Sequence, residues 1–294
     1  MSSAAPQVDP WTIEAVLRWA TDDFRSRGIE TPRLDAEVLL AHALASTRIR
    51  LVVDSKKPLE TGELGRFRDL VKRRRAREPT AYILGSREFY GRTFRVDRRV
   101  LVPRPDTEAL VETALLRTRP ASMSMRALDL CTGSGCVALT LARERPTSAF
   151  VATDVSEDAL AVARDNAARL GAYNVAFRRG DLFAAVDPSY PFDLVTANAP
   201  YITSRELSTL MPDVRDFEPR LALDGGADGL DGYRTIAKTA RQLLSPDGVL
   251  VLELGIGQLD AVEGILAAAG LIAVGEPRHD LLGIARALEV KLSP

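Results

Sequence analysis

Hydrophobic residues recur at helical spacing near the beginning of the chain. In the segment that starts at Trp11, one helical face carries Ile13, Val16, Leu17, Ala20 and Phe24. Gly28 follows this run and predicts the end of the helix. Thr31 and Pro32 then predict the start of a second helix, as a cap and as the first helical residue.

A third helical face follows, and the three helices together predict a small helical domain. This face carries Leu64, Phe67, Leu70 and Val71, and Pro79 ends the pattern. We therefore predict a helical domain over residues 11–85, preceded by a disordered N-terminus over residues 1–10.

The pattern changes to that of short strands after residue 85. Residues 86–102 are rich in aromatic and β-branched side chains, with Gly91 and Asp97 as turn candidates. Two prolines in the sequence VPRP stiffen the end of this segment. We predict a β-hairpin linker between the helical domain and a second domain.

Strand patterns alternate with helical patterns over residues 103–294. The strands are expected in the segments RALDL, SAFVATD, NVAFRRG, FDLVTA, GVLVLELG, LIAVGEP and ARALEVKL. Such alternation predicts an α/β domain in which helices cover both faces of a mostly parallel sheet. The last two segments leave almost no room for a helix between them, so they are expected to pair antiparallel at the sheet edge. The predicted sheet is therefore mixed and seven-stranded.

Composition narrows the classes of function. The formal net charge of the 294 residues is −1, which argues against a strongly basic nucleic-acid binder. The sequence shows no apolar leader and no run long enough to span a membrane, so a cytoplasmic protein without a membrane partner is expected. The two cysteines, Cys131 and Cys136, and the distant histidines, His42 and His279, do not have metal-site spacing, so no metal is expected.

A glycine turn after the strand RALDL favours a nucleoside ligand. Asp129 lies at the end of this strand, and Gly133 and Gly135 permit a tight turn and close approach of a ligand. The helix that follows presents free N–H groups to the same place. Asp154 ends the next strand and can accept hydrogen bonds from two ribose hydroxyls.

A third acid extends this pattern and bears on the choice of cofactor. Asp181 ends the third strand and is expected to accept from an adenine amino group, with apolar contact from Leu182 and Phe183. The sequence GSGCVA also matches GxGxxA, so a nicotinamide dinucleotide is an alternative. However, Asp129 would have no role beside the pyrophosphate of a dinucleotide. We therefore favour S-adenosyl-L-methionine over a dinucleotide and over a glycine turn without a ligand.

The sequence NAPY follows the strand FDLVTA, at the point where a methyl acceptor would meet this cofactor. The Asn198 side-chain oxygen and the Ala199 carbonyl can both accept from an NH2 group, and Tyr201 offers a flat face to a planar amide or base. Together they would hold a weakly nucleophilic sp2 nitrogen with its lone pair towards the methyl group.

These motifs, in this order and spacing, resemble the bacterial glutamine N5-methyltransferases that modify peptide chain release factors. The resemblance extends over most of the chain and is carried by EPTAYILGSREFYGRTFRV, LVPRPDTE, DLCTGSG, NAPYI and FEPRLALDGGADGLDGYR. It implies a Rossmann-like class I methyltransferase domain that uses S-adenosyl-L-methionine. It also implies that the glutamine of a release factor's Gly-Gly-Gln loop is the substrate, and that the helical domain helps to hold the release factor.

The residues and the resemblance together define an expected site. The expected cofactor-binding residues are Asp129, Thr132, Gly133, Gly135, Asp154, Asp181, Leu182 and Asn198. The expected catalytic residues are Asn198, Ala199, Pro200 and Tyr201. The same four, with Arg104 and Glu218, are the expected substrate-binding residues.

Two positions depart from the family pattern. Ala199 stands where the family usually has proline, but Pro200 still biases it towards extended geometry and its carbonyl is retained. Cys131 stands where glycine is common, so its side chain must either point away from the cofactor or touch it.

Two other functions compete with glutamine methylation. A nucleic-acid methyltransferase acting on adenine N6 or guanine N2 would use the same amide-binding motif. The nearly neutral charge and the lack of a base-reading domain after the catalytic one argue against it, so no stable nucleic-acid partner is expected. A non-catalytic nucleoside-binding protein would not need the sequence NAPY.

Overall fold

A computed structural model describes residues 11–118 and 124–293, and the chain divides after Gly85 into two compact units. Each unit is described by itself. The predicted disordered segment, residues 1–10, lies outside the described residues. No helix in the described ranges is both long enough and apolar enough to cross a membrane.

The N-terminal unit is helical. Its described part contains α1 (Ile13–Ser26), α2 (Pro32–Ala43), α3 (Arg48–Val53), α4 (Thr61–Arg75) and α5 (Thr80–Leu84). The residues of the first predicted face are buried and pack with Leu39, Leu40, Leu51, Phe67 and Val71. Because apolar faces from α1 to α4 share this core, the helices stabilise one another.

The helix ends in this unit only partly follow the sequence prediction. Gly28 follows α1 with a φ of 67°, as a helix stop requires. Thr31 precedes α2 but its side chain does not cap the helix; its hydroxyl donates to Asp35 at 3.0 Å. Pro79 does not end α4, which stops at Arg75; it precedes α5 instead.

The predicted hairpin consists of β1 (Ser86–Phe89) and β2 (Arg92–Arg95). Its two turn residues, Tyr90 and Gly91, have φ values of 48° and 67°. Positive φ at both turn positions matches the twist of a two-residue hairpin. Phe89 and Phe94 are buried in the core of the C-terminal unit, so the hairpin is part of that unit.

The C-terminal unit contains a mixed sheet. Its strands are β3 (Arg126–Leu130), β4 (Ala149–Asp154), β5 (Val175–Arg179), β6 (Phe192–Ala197), β7 (Leu244–Glu253), β8 (Leu271–Ala273), β9 (Arg278–His279) and β10 (Ala285–Leu292). The order is β5-β4-β3-β6-β7-β10-β8. The first five strands are parallel, and β10 runs antiparallel to β7 and β8. The mixed α/β prediction is confirmed, with the two-residue β9 as an additional strand beside β10.

Helices cover both faces of this sheet. They are α6 (Glu108–Arg117), α7 (Cys136–Glu144), α8 (Glu157–Leu170), and, after the short α9 (Pro212–Arg215) in the segment between β6 and the next helix, α10 (Asp231–Leu243) and α11 (Leu259–Ala268). Alternate strand residues enter opposite cores: Leu250 packs with α10 and α11, whereas Val251 packs with α6 and α7. The carboxyl ends of the parallel strands therefore meet at one edge, between the two helical layers.

Candidate active site

A cavity of about 750 Å³ opens at this edge of the sheet. It brings together most of the residues expected from the sequence: Arg104, Asp129, Thr132, Gly133, Asp154, Asp181, Leu182, Asn198, Ala199 and Pro200. Three expected site residues, Gly135, Tyr201 and Glu218, lie outside its lining. The wall is thus formed by the ends of β3, β4, β5 and β6 and the loops that follow them.

Asp129, near the end of β3, is buried and supports the glycine turn. Its Oδ2 accepts from the Thr132 hydroxyl at 2.6 Å, and its Oδ1 accepts from the Thr196 hydroxyl at 2.7 Å. Burial raises the pKa of Asp129 to about 6, and these hydroxyls oppose the shift. The carboxyl group therefore ties β3, β6 and the turn together at the floor of the cavity.

Asp154, the last residue of β4, is held by backbone donors. Its Oδ2 accepts from the Gly133 N–H at 2.9 Å, and its Oδ1 accepts from the Ser156 N–H at 2.9 Å. Burial raises its pKa, and the backbone donors oppose that rise. Each oxygen retains a second lone pair, so the fixed carboxylate can accept from two neighbouring hydroxyls.

The two glycines of the turn differ in role. Gly133 lines the cavity with a φ of 55°. Gly135 has a φ of 82° and lies behind the turn. A Cβ there would lie 2.9 Å from Leu139 Cδ1 and 3.3 Å from Ala163 Cβ, so Gly135 permits close packing of α7 and α8. Cys131 adopts a φ of 55° although it is not glycine.

Asp181 lies exposed at the rim of the cavity. Leu182 follows it with a φ of 46°, and its carbonyl accepts from the Thr153 hydroxyl at 3.1 Å. Leu182 lines the cavity, but Phe183 points into the hydrophobic core beneath it. Of the two side chains expected to offer apolar contact, only Leu182 therefore faces the cavity.

The Asn198 side chain projects from the end of β6 into the cavity. Its Nδ2 donates to the Thr107 hydroxyl oxygen at 3.3 Å, which leaves Oδ1 as the acceptor for a ligand. Ala199 is buried against α10, where Gly232 provides the space: a Cβ at Gly232 would lie 3.0 Å from Ala199 Cβ. Ala199, which stands where the family usually has proline, therefore packs its methyl group against Gly232.

Tyr201 is held beside the cavity. Its hydroxyl donates to Glu253 Oε1 at 3.4 Å, and its carbonyl accepts from Gln258 Nε2 at 3.0 Å. Burial, and then the charge of Glu253, raise the pKa of Tyr201, so the phenol stays protonated. The sequence indicated an aromatic face towards the substrate but did not reveal its buried partner, Glu253.

Glu218 positions Arg104. Oε1 of the buried Glu218 accepts from Arg104 at 2.5 Å, and Oε2 accepts from the Val102 N–H at 3.2 Å. Burial raises the Glu218 pKa, with Arg104 opposing the shift. This carboxylate fastens the segment after NAPY to the segment before α6, while Arg104 reaches the cavity.

Several lining residues were not among the expected site residues. They include Arg99, Val100, Leu101, Pro103, Thr107, Ser134, Cys136, Val155, Ser156, Ser204, Pro219, Leu221, Gly225, Gly226 and Thr235. Thr107 and Gly225 lie within the motifs LVPRPDTE and FEPRLALDGGADGLDGYR, and Val155 and Ser156 follow Asp154, so each position had a usable signal. The segment around Gly225 reaches the site through two backbone hydrogen bonds, from Ile202 N–H to Leu223 O at 3.0 Å and from Gly225 N–H to Ile202 O at 2.8 Å.

The site has no metal-binding character in the part of the chain that the structure describes. No group of three or more His, Cys, Asp or Glu side chains there could hold a metal ion. Cys131 and Cys136 both line the cavity as free thiols, and burial raises both pKa values, that of Cys136 to about 12.

Sequence comparison identifies both units. The profile of the PrmC N-terminal domain matches residues 15–85, and that of a methyltransferase domain matches residues 121–260. The release factor glutamine methyltransferase of Geobacter sulfurreducens is 45% identical over 260 residues, which is 88% of this chain and 90% of that protein. The release factor glutamine methyltransferase of Bradyrhizobium diazoefficiens is 42% identical, over 97% of this chain and 98% of that protein.

Comparison with solved structures agrees at the level of the fold. The crystal structure of a methyltransferase from Pyrococcus furiosus matches 70% of this chain and 91% of that chain. The TM-score is 0.53 and the sequence identity is 18%, so this similarity concerns the fold alone.

Proposed function

We propose how this chain, which belongs to the release factor glutamine methyltransferases, positions its substrate and cofactor. The enzyme transfers a methyl group to the side-chain amide nitrogen of a glutamine in a release factor. One observation carries the proposal for the site: Asn198 enters the cavity with its nitrogen engaged by Thr107 and its oxygen free to accept.

The cavity fits S-adenosyl-L-methionine, which when bound supplies an electrophilic methyl group. The fixed Asp154 carboxylate suits two ribose hydroxyls, because each of its oxygens has one backbone donor and a spare lone pair. Asp181 at the rim would accept from the adenine amino group, with Leu182 against the ring. Thr132 and Gly133 would border the remainder of the molecule, above Asp129.

The substrate amide would be held by two acceptors. Asn198 Oδ1 would accept one hydrogen of the glutamine NH2 group, and the Ala199 carbonyl would accept the other. These two hydrogen bonds would direct the nitrogen lone pair towards the methyl group. Correct orientation of the nitrogen would be the main contribution to the rate. The nitrogen would gain the methyl group as the bond from that group to the sulfonium sulfur breaks, and one N–H proton would then leave to water, so a general base is not required before transfer.

The surrounding residues would accommodate the protein substrate. We assign Pro200, Tyr201 and the Arg104 side chain held by Glu218 to contacts with the Gly-Gly-Gln loop. The helical domain, residues 11–85, would hold the body of the release factor, and residues 86–294 would carry the chemistry. Release factors act in translation, so the reaction belongs in the cytoplasm.

Methyl transfer onto purified release factor tests this proposal. With S-adenosyl-L-methionine, the parent enzyme should modify the Gly-Gly-Gln glutamine, as located by mass spectrometry of peptides. Asn198→Ala should lower kcat by ~100–1000-fold, the typical cost of one preorganised polar group, and leave cofactor affinity nearly unchanged. Transfer to duplex DNA or ribosomal RNA instead would support the nucleic-acid alternative. Near-parent turnover by Asn198→Ala would rule out the role given to that residue.

A further inference from the structure

A buried carboxylate lies behind the Asn198–Tyr201 turn, and the mechanism above does not use it. Glu253, the last residue of β7, is only 2% exposed. Its Oε1 accepts from the Tyr201 hydroxyl at 3.4 Å, and its backbone carbonyl accepts from the Tyr233 hydroxyl at 2.9 Å. Oε2 has no hydrogen-bond partner among the described residues. A buried carboxylate oxygen is costly without a donor, so a donor for Oε2 is expected nearby.

Thr107 can supply that donor. It is 2% exposed, and its hydroxyl oxygen already accepts from Asn198 Nδ2 at 3.3 Å. A hydroxyl has one proton to donate, and the bond from Asn198 does not use it. Burial raises the pKa of Glu253 to about 7, and among the groups that oppose this rise the Thr107 hydroxyl has the largest effect, as a donor to the carboxylate would.

The direction of this one proton matters for the reaction. If the Thr107 hydroxyl donated to Asn198, the carboxamide would turn its oxygen inward and present its NH2 group to the cavity. The NH2 groups of Asn198 and of the substrate amide would then face each other, and because both only donate, no hydrogen bond could form between them. The substrate amide would lose one of its two acceptors. When the hydroxyl donates to Glu253, it can only accept from Asn198, and the Asn198 oxygen faces the substrate.

We propose that Thr107 and Glu253 are positioning residues that fix the orientation of the Asn198 carboxamide: Glu253 takes the Thr107 proton, and Thr107 therefore holds the Asn198 NH2 group. Glu253 also accepts a hydrogen bond from the Tyr201 hydroxyl, so one buried carboxylate orients both Asn198, through Thr107, and Tyr201. This inference rests on the proposed function of Asn198. It adds two residues that neither contact the substrate nor take part in methyl transfer.

Substitution of Thr107 tests the hydroxyl. Thr107→Val keeps the shape and removes the hydroxyl, whereas Thr107→Ser keeps the hydroxyl. With purified release factor as substrate, we expect Thr107→Val to lower kcat by up to ~100-fold, the scale of a small misplacement in a catalytic site. Cofactor affinity should stay near the parent value, the melting temperature should fall because Glu253 and Asn198 each lose a buried partner, and Thr107→Ser should restore both kcat and stability. Parent-like kcat in Thr107→Val, or equal loss in Thr107→Ser, would overturn the proposal.

A double-mutant cycle tests the link to Glu253. Glu253→Met removes the acceptor, so its effect on kcat should overlap with that of Thr107→Val, and the double variant should be little slower than the slower single variant. Glu289→Met is the matched control, because Glu289 is also a buried carboxylate of this sheet, paired with Arg117. Its effect on kcat should multiply with that of Thr107→Val.

The outcomes of the cycle are distinguishable. If the effects of Thr107→Val and Glu253→Met on kcat multiplied in the double variant, the two residues would act independently. The proposal that both act by orienting Asn198 would then be excluded. If Thr107→Val did not fold, the same cycle with Thr107→Ala would decide the matter. A parent enzyme that failed to methylate release factor would refute the proposed function itself, whereas an active parent with an unaffected Thr107→Val variant would refute only the present inference.

Discussion

At the scale of single residues, the site is built from carboxylates with three different environments. Asp154 is held by backbone donors, Asp129 by two threonine hydroxyls, and Glu253 lies buried behind the turn. A carboxylate with fixed oxygens and spare lone pairs can bind a ligand, whereas one that is fully enclosed supports its neighbours. Burial and hydrogen bonding therefore separate binding acids from supporting acids that look alike in the sequence.

Removal of the Asp154 carboxylate should weaken cofactor binding. Asp154→Ala is expected to cost roughly 1.5–3 kcal/mol of binding free energy, the range for hydrogen bonds to a charged group. Calorimetric titration with S-adenosyl-L-methionine measures this loss. Asp187→Ala is the control, because Asp187 accepts from Ser189 within a local turn and does not line the cavity. Equal affinity in Asp154→Ala and the parent would contradict the ribose assignment, and binding of NADH would revive the dinucleotide alternative.

The raised pKa of Glu253 should make stability depend on pH. Its pKa rises from 4.5 to about 7 in the folded protein because of burial. Between these values the folded state binds more protons than the unfolded state, so the contribution of Glu253 to the free energy of unfolding falls as pH rises. The contribution is complete below the unfolded pKa of 4.5 and is lost by about pH 7.

Glu253→Gln removes this ionisation and isolates its effect. Urea unfolding of the parent and the variant should be compared at several pH values across that window. The stability of the variant relative to the parent should increase as pH rises, because only the parent must ionise a buried carboxyl group. Parallel stability curves across the window would show that Glu253 does not titrate there.

At the scale of elements, the glycine-rich sequence before α10 permits close contact with the Asn198–Tyr201 turn. A Cβ at Gly225 would lie 2.7 Å from the Pro200 carbonyl oxygen and 2.8 Å from Tyr201 Cα. Both are backbone atoms and cannot move aside as a flexible side chain can. The turn that presents Asn198 is therefore shaped partly by a segment more than twenty residues further along the chain.

Gly225→Ala should distort this turn. We expect a loss of about 1–3 kcal/mol in stability, typical of overpacking, together with a large fall in kcat. Gly264→Ala is the matched control, since Gly264 lies within α11 and a Cβ there would meet nothing within 4 Å. The control should be stabilised by roughly 0.5–1 kcal/mol, because alanine favours a helix more than glycine does. Thermal unfolding and turnover of release factor measure both; an unchanged Gly225→Ala variant would contradict the close contact.

At the scale of the whole molecule, the hairpin belongs to the C-terminal unit, so the boundary between the two units lies after Gly85 and not at residue 103. Phe89 and Phe94 are at most 2% exposed and pack with Leu110, Val111 and Leu139 of the C-terminal unit. A cut before Ser86 keeps this core intact, whereas a cut at residue 103 would remove two buried aromatic rings from it. Loss of such rings costs several kcal/mol, as large-to-small core substitutions do.

Two fragments test this division and the proposed role of the helical unit. Residues 86–294 should fold and bind S-adenosyl-L-methionine with near-parent affinity, but should lose most activity on whole release factor. Residues 103–294 should show a markedly lower melting temperature or remain unfolded. Calorimetric unfolding and cofactor titration compare the two. Parent-like methylation of whole release factor by residues 86–294 would remove the docking role of the helical unit, and equal stability of the fragments would contradict the placement of the hairpin.

The sequence by itself determined the fold class and grouped the side chains at the strand ends that line the cavity. Hydrophobic periodicity is a local property, so it located the helices of the first unit and the strands of the sheet. Polar side chains at the ends of neighbouring parallel strands must meet at one edge of the sheet, which is why Asp129, Asp154, Asp181 and Asn198 could be grouped from the sequence.

Only the tertiary structure decided which side chains support that group. Thr107 comes from the segment before α6, Glu253 from the end of β7, and Gly225 from a distant loop; they meet the Asn198–Tyr201 turn through packing between elements far apart in the sequence. It likewise placed Gly135 behind the turn, Phe183 in the core and Glu218 behind Arg104. Residue type and spacing determine local secondary structure. Burial and hydrogen-bond partners depend on residues that are distant in the sequence and become neighbours only when the chain folds.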